Sequence, residues 1–483
     1  MMTNFFESIR VPNKCPSKRL ATLIHGLALC FVATILAACD VQPGDHVVWS
    51  PDERTMALLA GDGLHFGDPD GKLSPVVAPN IEFFGWLPDS KHAVIVQKES
   101  LSSWSDLEKR LTPEERATVK EESKSLRDEV MSIKHSIEEL AHSKEAPLKF
   151  NDEDLVFLVS TDPEFKQKYL KLMRKAFGTD VTSLISADVH VVKLVALSWT
   201  SIILDKELFF IRKPIKEIRV APNGKVVAIV TDIDEAFDRF RIAVVSLATN
   251  DLQVVTEAGS EYPDWSADSQ NLLYCQKMWA SSKESEDELP SFGALSKTRV
   301  CDDAGHLLRD KQPSEQLAVV AYSSVNRVRD TADGRIFFSC PVLKLPAARP
   351  QHSDTQGLFA LDPSRFYATI PLIDQSDSNL VCQAFESSRD GKTVAIPEKN
   401  GTTHLLSVLT GKIEEIESGP PWGRLIVFPA FRSNNELTYV RQLGDSKKTS
   451  TAKLVLWDIE AGDGRDLSAN WPALLKSQWL HEK

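Results

Sequence analysis

"VVWSPDERTMALLAGDG" occupies residues 47–63, and its central turn returns along the chain. An aromatic, Trp49, stands three residues before an Asx, Asp52, and the short apolar run "MALLA" follows. "FFGWLPDSKHAVIVQ" at 83–97 repeats the order with Trp86 and Asp89, and "YPDWSADSQNLLYCQ" at 262–276 repeats it with Trp265 and Asp268. Aligned on the Asx there are seven turns: Asp52-Glu53, Asp89-Ser90, Asn223-Gly224, Asp268-Ser269, Asp333-Gly334, Asp390-Gly391 and Asn434-Asn435. Each leads into a β-rich run, from "MALLA" and "AVIVQ" through "VVAIV", "LLYCQ", "IFFSC" and "TVAIP" to "LTYVR". Asx followed by Gly, Ser or Asn makes a tight hairpin turn, because these residues accept positive φ or cap their own backbone. In four of the seven copies the residue three before the Asx is aromatic (Trp49, Trp86, Trp265, Phe431). That offset suits a strand end packed between neighbouring sheets.

Successive turns are 37, 134, 45, 65, 57 and 44 residues apart. Three of these steps lie near the ~40–45 residues of a four-stranded propeller blade, and the others fit blades carrying insertions. Short strands with little amphipathic helix need an all-β arrangement that hides strand edges, which radial repetition provides. The expected fold is therefore an all-β propeller of about seven blades, within a range of six to eight. Trp49-Ser50-Pro51-Asp52 and Asp390-Gly391-Lys392 resemble the W-S-P-D-G-K repeat of the TolB-like periplasmic propellers and of the propeller domains of prolyl oligopeptidase relatives. The resemblance implies a WD40-like ring built from residues 41 to 470 outside the insertions.

The N-terminus carries an address. Residues 21–37, "ATLIHGLALCFVATILA", are almost uncharged and follow Lys14, Lys18 and Arg19. A basic region, an apolar run and small residues in that order make an export signal. The run ends in Leu36-Ala37-Ala38-Cys39, which resembles the bacterial lipobox. The resemblance implies cleavage before Cys39, lipidation of its thiol and a membrane-anchored lipoprotein facing the periplasm or exterior. A plain membrane anchor is the alternative, although 17 residues is short for a span. Residues 1–38 are thus expected to be a signal peptide, and removing them leaves 52 basic against 67 acidic side chains, a net of −15.

The propeller is expected to resume after each interruption. Residues 39–98 hold the first repeats, 99–184 a helical insertion between the second and third repeats, and 185–483 the remaining blades. Thr112, Pro113 and Glu115 form a capping box with proline at the first helical position. Leu126, Val130, Ile133, Ile137 and Leu140 then recur at helical spacing. The helices either pack on the propeller side or project as an arm that docks a partner.

The acidic balance, −12 over 483 residues, argues against a nucleic-acid partner, whose phosphate backbone needs a basic stripe. There is no G-x-S-x-G nucleophile elbow and no H-E-x-x-H pair. Asp68–Gly71 and Thr231–Asp238 alternate carboxylates without the spacing of a calcium loop and read as turns. His46, His65 and His92 fall near the first two repeats. Cys275 and Cys340 lie seven residues after their turn Asx in adjacent repeats and read as small buried apolar residues; Cys301 and Cys382 stay open. No cofactor or metal ligand set and no local catalytic motif emerges. The expected function is a lipid-anchored envelope scaffold binding a protein or peptide. Two alternatives remain: an enzyme acting on a polysaccharide or peptide with carboxylates drawn from different blades, and a sensor of a small ligand in the channel.

Overall fold

A computed structural model describes residues 46–101, 187–211, 215–232, 240–257, 259–278, 292–310, 312–321, 327–344, 351–373, 380, 382–398, 402–417, 429–443 and 451–472. These residues form a seven-bladed β-propeller. Six blades are four-stranded antiparallel meanders, each built from strands consecutive in sequence. Blade one has three strands, Val47–Trp49, Met56–Ala60 and Gly63–Gly67. Residues 73–78 flank its third strand, through bridges Leu64–Ala78 and Gly67–Leu73 and a Ser74 N–H bond to the Phe66 carbonyl (2.7 Å). The first strand of each blade is innermost. These inner strands are Val47–Trp49, Ile81–Trp86, Ile215–Val220, Ser260–Trp265, Arg327–Asp330, Glu386–Ser387 and Ala430–Phe431.

The seven turns predicted from sequence all join a first strand to a second. Six carry a positive φ at the residue after the Asx: Glu53, Ser90, Gly224, Ser269, Gly334 and Gly391. The second strands are continuous apolar runs because both faces of a blade are covered by its neighbours. Met56, Ala57 and Leu58, Ala93 to Val96, Val226 to Val230 and Val394 to Ile396 are all fully buried. Between blades two and three, for example, Val94, Val96 and Val192 pack on Ile215, Ile218, Val227 and Ile229. Each such side chain contributes roughly 1.5–3 kcal/mol by leaving water.

The repeated motif also links one blade to the next. The Asp52 N–H donates to Ser90 Oγ, Asn223 N–H to Ser269 Oγ, and Asp390 N–H to Asn434 Oδ1, all at 3.0–3.1 Å. Gly224 sits so close to blade two that a Cβ there would lie 2.4 Å from Pro88 Cδ, at a φ of +68°. The tryptophans reach the opposite way: Trp86 Nε1 donates to the Val48 carbonyl (2.9 Å) and Trp265 Nε1 to the Arg219 carbonyl (2.8 Å). The motif therefore builds a belt around one face of the ring.

Among the described residues, the strands of blade one and blade seven belong to separate sheets, and side chains link the two blades. Trp49 Nε1 donates to Thr438 Oγ1 (3.1 Å), Arg432 Nε to the Glu53 carbonyl (2.7 Å) and Trp471 Nε1 to the Gly71 carbonyl (2.9 Å). Beneath them Val47, Met56 and Leu58 pack on Leu454, Leu456, Leu467 and Trp471.

The second blade's second strand runs through Leu101 and its third begins at Ala187, paired in register at Leu101–Ala187. The helical starts, the lipobox residues Leu36, Ala37 and Ala38, and Cys39 lie outside the described residues. No helix among the described residues is long and apolar enough to cross a membrane. The four described cysteines are buried thiols. Burial pushes Cys301 up to about 11 and Cys382 up to about 12.

Candidate functional site

Reading down the repeat alignment one position before the aromatic gives Val48, Gly85, Arg219, Asp264, Arg329, Glu386 and Ala430. In blades three to six this column alternates positive and negative. In blades seven, one and two it is small or apolar. The inner strands thus bring together four ionisable side chains distant in sequence, on one side of the ring only.

Their bonds cross from blade to blade. Arg329 Nε meets Glu386 Oε1 at 3.0 Å, and Arg327, two residues earlier on the same strand face, reaches the other carboxylate oxygen. Asp264 Oδ2 accepts the Asp330 N–H at 2.8 Å, and Asp330 Oδ2 accepts the Ala267 N–H at 2.9 Å. The two aspartates therefore tie blades four and five reciprocally. Asp330 stands where blades one, two, four and seven carry the aromatic. Toward the other end of the same strands, Lys216 Nζ bonds Glu261 Oε2 at 2.6 Å and lies over the rings of Phe240 and Tyr262. Glu82 Oε2 meets His190 Nδ1 at 2.5 Å.

Two groups in this wall are held away from their ordinary protonation. Burial pushes the Asp264 carboxyl up, against the opposing pull of the Arg329 and Arg219 charges. Burial and then the neighbouring Asp264 charge push Asp330 up to about 7. The turn aspartates behave oppositely. Partial burial pushes Asp52, Asp268, Asp333 and Asp390 up, but hydroxyl bonds from Ser50, Ser266, Thr331 and Ser388 help outweigh it, leaving all four below the carboxylate range. Turn hydrogen bonds therefore confine those aspartates to architecture. Asp264 and Asp330 are pushed the other way, and Asp330 is the one poised near neutrality.

A concavity of about 470 Å³ lies at the seam of blades one and seven, lined by Asp62, His65, Asp70 to Pro75 and Asn470 to Pro472. His65 is buried there, with Nδ1 3.0 Å from the Ser74 carbonyl and Nε2 3.0 Å from Asp62 Oδ1. The three early histidines do not converge. His92 instead contacts Asp89 and Asp205 on blade two. Asp68 to Gly71 is a turn, with Asp68 Oδ1 accepting the Asp70 and Lys72 N–H groups. No cluster of three or more metal-ligating side chains occurs among the described residues. Sequence reading passed over Arg219, Asp264, Arg329, Asp330 and Glu386, yet the repeat alignment carried the signal. Charged residues fill a column that is apolar in three of its seven copies.

No protein-family profile matches the sequence, and no curated protein matches it. Among solved structures it is similar to TolB from Acinetobacter baumannii, at 15% identity and a TM-score of 0.38 over 57% of this chain and 59% of that one. It is similar to oligogalacturonate lyase from Vibrio parahaemolyticus, at 14% identity and 0.39 over 60% of this chain and 77% of that one. It is also similar to acylaminoacyl peptidase from Pyrococcus horikoshii, at 16% identity and 0.38 over 59% of this chain and 42% of that one. The chain spans less than two thirds of the length of TolB and under half that of the peptidase.

Proposed function

We propose that this propeller is a non-catalytic protein-interaction module of the bacterial envelope, tethered by a lipid on Cys39 after removal of residues 1–38. One observation supports the binding role above others: several inner-wall charges are committed to partners on the neighbouring blade. Lys216 holds Glu261, and Arg327 and Arg329 hold Glu386. Charges bound in this way brace a rigid ring and leave its faces to do the binding. The expected partner is an envelope protein or peptide.

Photo-crosslinking in intact cells with the tethered protein as bait tests the module. A reproducible protein adduct is expected, and its absence under conditions that trap known envelope complexes overturns the reading. The anchor is tested separately. Cys39→Ser is expected to stop acyl-chain incorporation and leave a larger precursor; normal processing of that variant overturns the lipid assignment.

The Asp264 and Asp330 pair favours the second reading, a propeller enzyme. Two neighbouring carboxyls from different blades, one raised to about 7, supply the kind of groups that acid–base cleavage of a polysaccharide uses. That reading expects conversion of acidic or neutral oligosaccharides by the isolated body, abolished in Asp264→Asn and in Asp330→Asn alike.

A further inference from the structure

In a meander the turns after the first and third strands share one face, so the belt of Asx turns and the outer turns lie together. On that face most exposed tips are acidic: Asp52 and Glu53 on blade one, Asp89 on blade two, Asp251 on blade three, Asp303 on blade four and Glu460 on blade seven. Blades five and six differ. Their outer turns present Phe366, 99% exposed, and Leu409, 91% exposed. The turns of these two blades also carry Arg365, Arg389, Lys392 and Lys412, all exposed, against exposed Asp333 and, in the strand after Lys412, exposed Glu414, so basic groups outnumber acidic ones among the exposed tips here.

Phe366 serves no packing role at that exposure, and its backbone is strained. It adopts a left-handed conformation at φ 54° and ψ 43°, and Tyr367 follows at φ 57°. Two consecutive aromatic residues in this region are costly and persist only when surroundings impose them. Here Asp362 imposes them: its Oδ1 accepts the Ser364 N–H (2.9 Å) and hydroxyl (2.6 Å), and its carbonyl accepts the Tyr367 N–H (2.9 Å). Tyr367 turns inward against the core of blades four and five, leaving Phe366 at the tip of a rigid turn. Anchors of this kind, pre-ordered and aromatic, dominate interface energetics.

We propose that this face of blades five and six docks an acidic segment of a partner protein that carries apolar side chains, with Phe366 and Leu409 as anchors and the four basic residues as rim. The basic groups hold local, exposed partners. Arg365 and Lys392 pair with local aspartates at 3.5 and 3.1 Å and Lys412 pairs with Glu414, while the three remain 70%, 75% and 69% exposed. Exposed pairs of this kind are weak and exchange readily for a partner carboxylate. A basic sector set in an acidic face steers an acidic segment to this sector and away from the rest. The proposal rests on the interaction-module reading and specifies its surface.

The test places a photoreactive benzoylphenylalanine at 366 or 409 in the full tethered chain, with Thr249, in the equivalent turn of blade three, as control. Expected are adducts at 366 and 409 to one protein, mapping to a segment rich in Asp and Glu beside apolar residues, with little at 249. Leu409→Ser should lower the yield at 366 by about tenfold, and added salt should lower it further. Because both side chains are exposed, the variants keep the wild-type fold, which circular dichroism checks. Adducts to phospholipid, to a second copy of this chain, or to a basic or uncharged segment overturn the proposal, as does equal yield at 249. If lysine-directed crosslinking still traps a partner while 366 and 409 stay silent, the surface is wrong and the module stands. If neither traps one, the module falls as well.

Discussion

Replacing Asp330 by Asn probes the inner wall through the pH dependence of stability. Burial and the Asp264 charge raise this carboxyl from 3.8 to about 7 in the folded protein. Between those values the folded chain keeps a proton that the unfolded chain has released. Stability from this group is therefore full below pH 4 and is lost as pH rises through 7. A tenfold change in proton affinity is worth about 1.4 kcal/mol, so the charged form costs the fold up to about 4 kcal/mol above pH 8. Asn cannot titrate, yet its amide oxygen can still accept the Ala267 N–H that Asp330 accepts at 2.9 Å. Urea unfolding of both proteins from pH 4.5 to 8.5 supplies the measurement. The difference, variant minus wild type, is expected to start near zero or slightly negative and climb by about 2–4 kcal/mol across the range, with most of the rise between pH 5 and 7.5. A difference that stays flat with pH would refute the placement of Asp330 in a desolvated carboxyl pair.

Other perturbations test other parts of the ring. Lys216→Ala leaves Glu261, 3% exposed, without its 2.6 Å partner. It should cost about 3–5 kcal/mol in denaturant midpoint analysis, whereas the double change Lys216→Met with Glu261→Leu should recover most of that loss. Phe366→Gly relieves a left-handed backbone at no packing cost and should stabilise by about 0.5–1 kcal/mol in thermal unfolding. Ser266→Ala removes the hydroxyl that helps hold Asp268 below its ordinary range. Since a lowered carboxyl contributes stability that is lost as pH falls through its folded value, the loss of about 1 kcal/mol expected at pH 7 should shrink toward pH 3.

Much of the fold was legible because each blade repeats one solution to one steric problem. The Asx turn needs a residue that accepts positive φ, and the second strand must be apolar on both faces. Seven copies of "Asx, polar, apolar run" therefore pointed to about seven blades, even where Val220, Asp330 and Ser387 replaced the aromatic. The aromatic offset was legible too, since Trp86 and Trp265 perform the same reach to a preceding blade. The candidate site was less legible for a physical reason. Each of Arg219, Asp264, Arg329 and Glu386 is an unremarkable charged residue in its own segment. Only radial closure brings residues 219, 264, 329 and 386 around one wall. Blade one's short flanking segment at 73–78 was hidden as well, because its pairing depends on two bridges more than on any β-rich run.

The seam shows how far this architecture depends on a few side chains. In a ring whose last blade combined strands from both chain ends, closure would be shared among many ladder bonds. Among the described residues, blades one and seven meet through Trp49, Arg432, Trp471 and the apolar layer beneath them. Trp471 is 6% exposed, and its ring supplies both the indole bond to Gly71 and a wall of the 470 Å³ cleft. Trp471→Ala should therefore cost about 3–5 kcal/mol, the usual loss for a buried large aromatic. The loss should also be uneven around the ring. Amide exchange should accelerate most in Val47–Trp49 and Thr451–Asp458, on either side of the seam, and least in blades three to five, whose inner strands are tied by the Lys216–Glu261 and Asp264–Asp330 contacts. Uniform acceleration around all seven blades would show that the ring unfolds as one unit and that the seam is no weaker than any other interface. Exchange confined to the seam would identify blades one and seven as the point where this propeller opens.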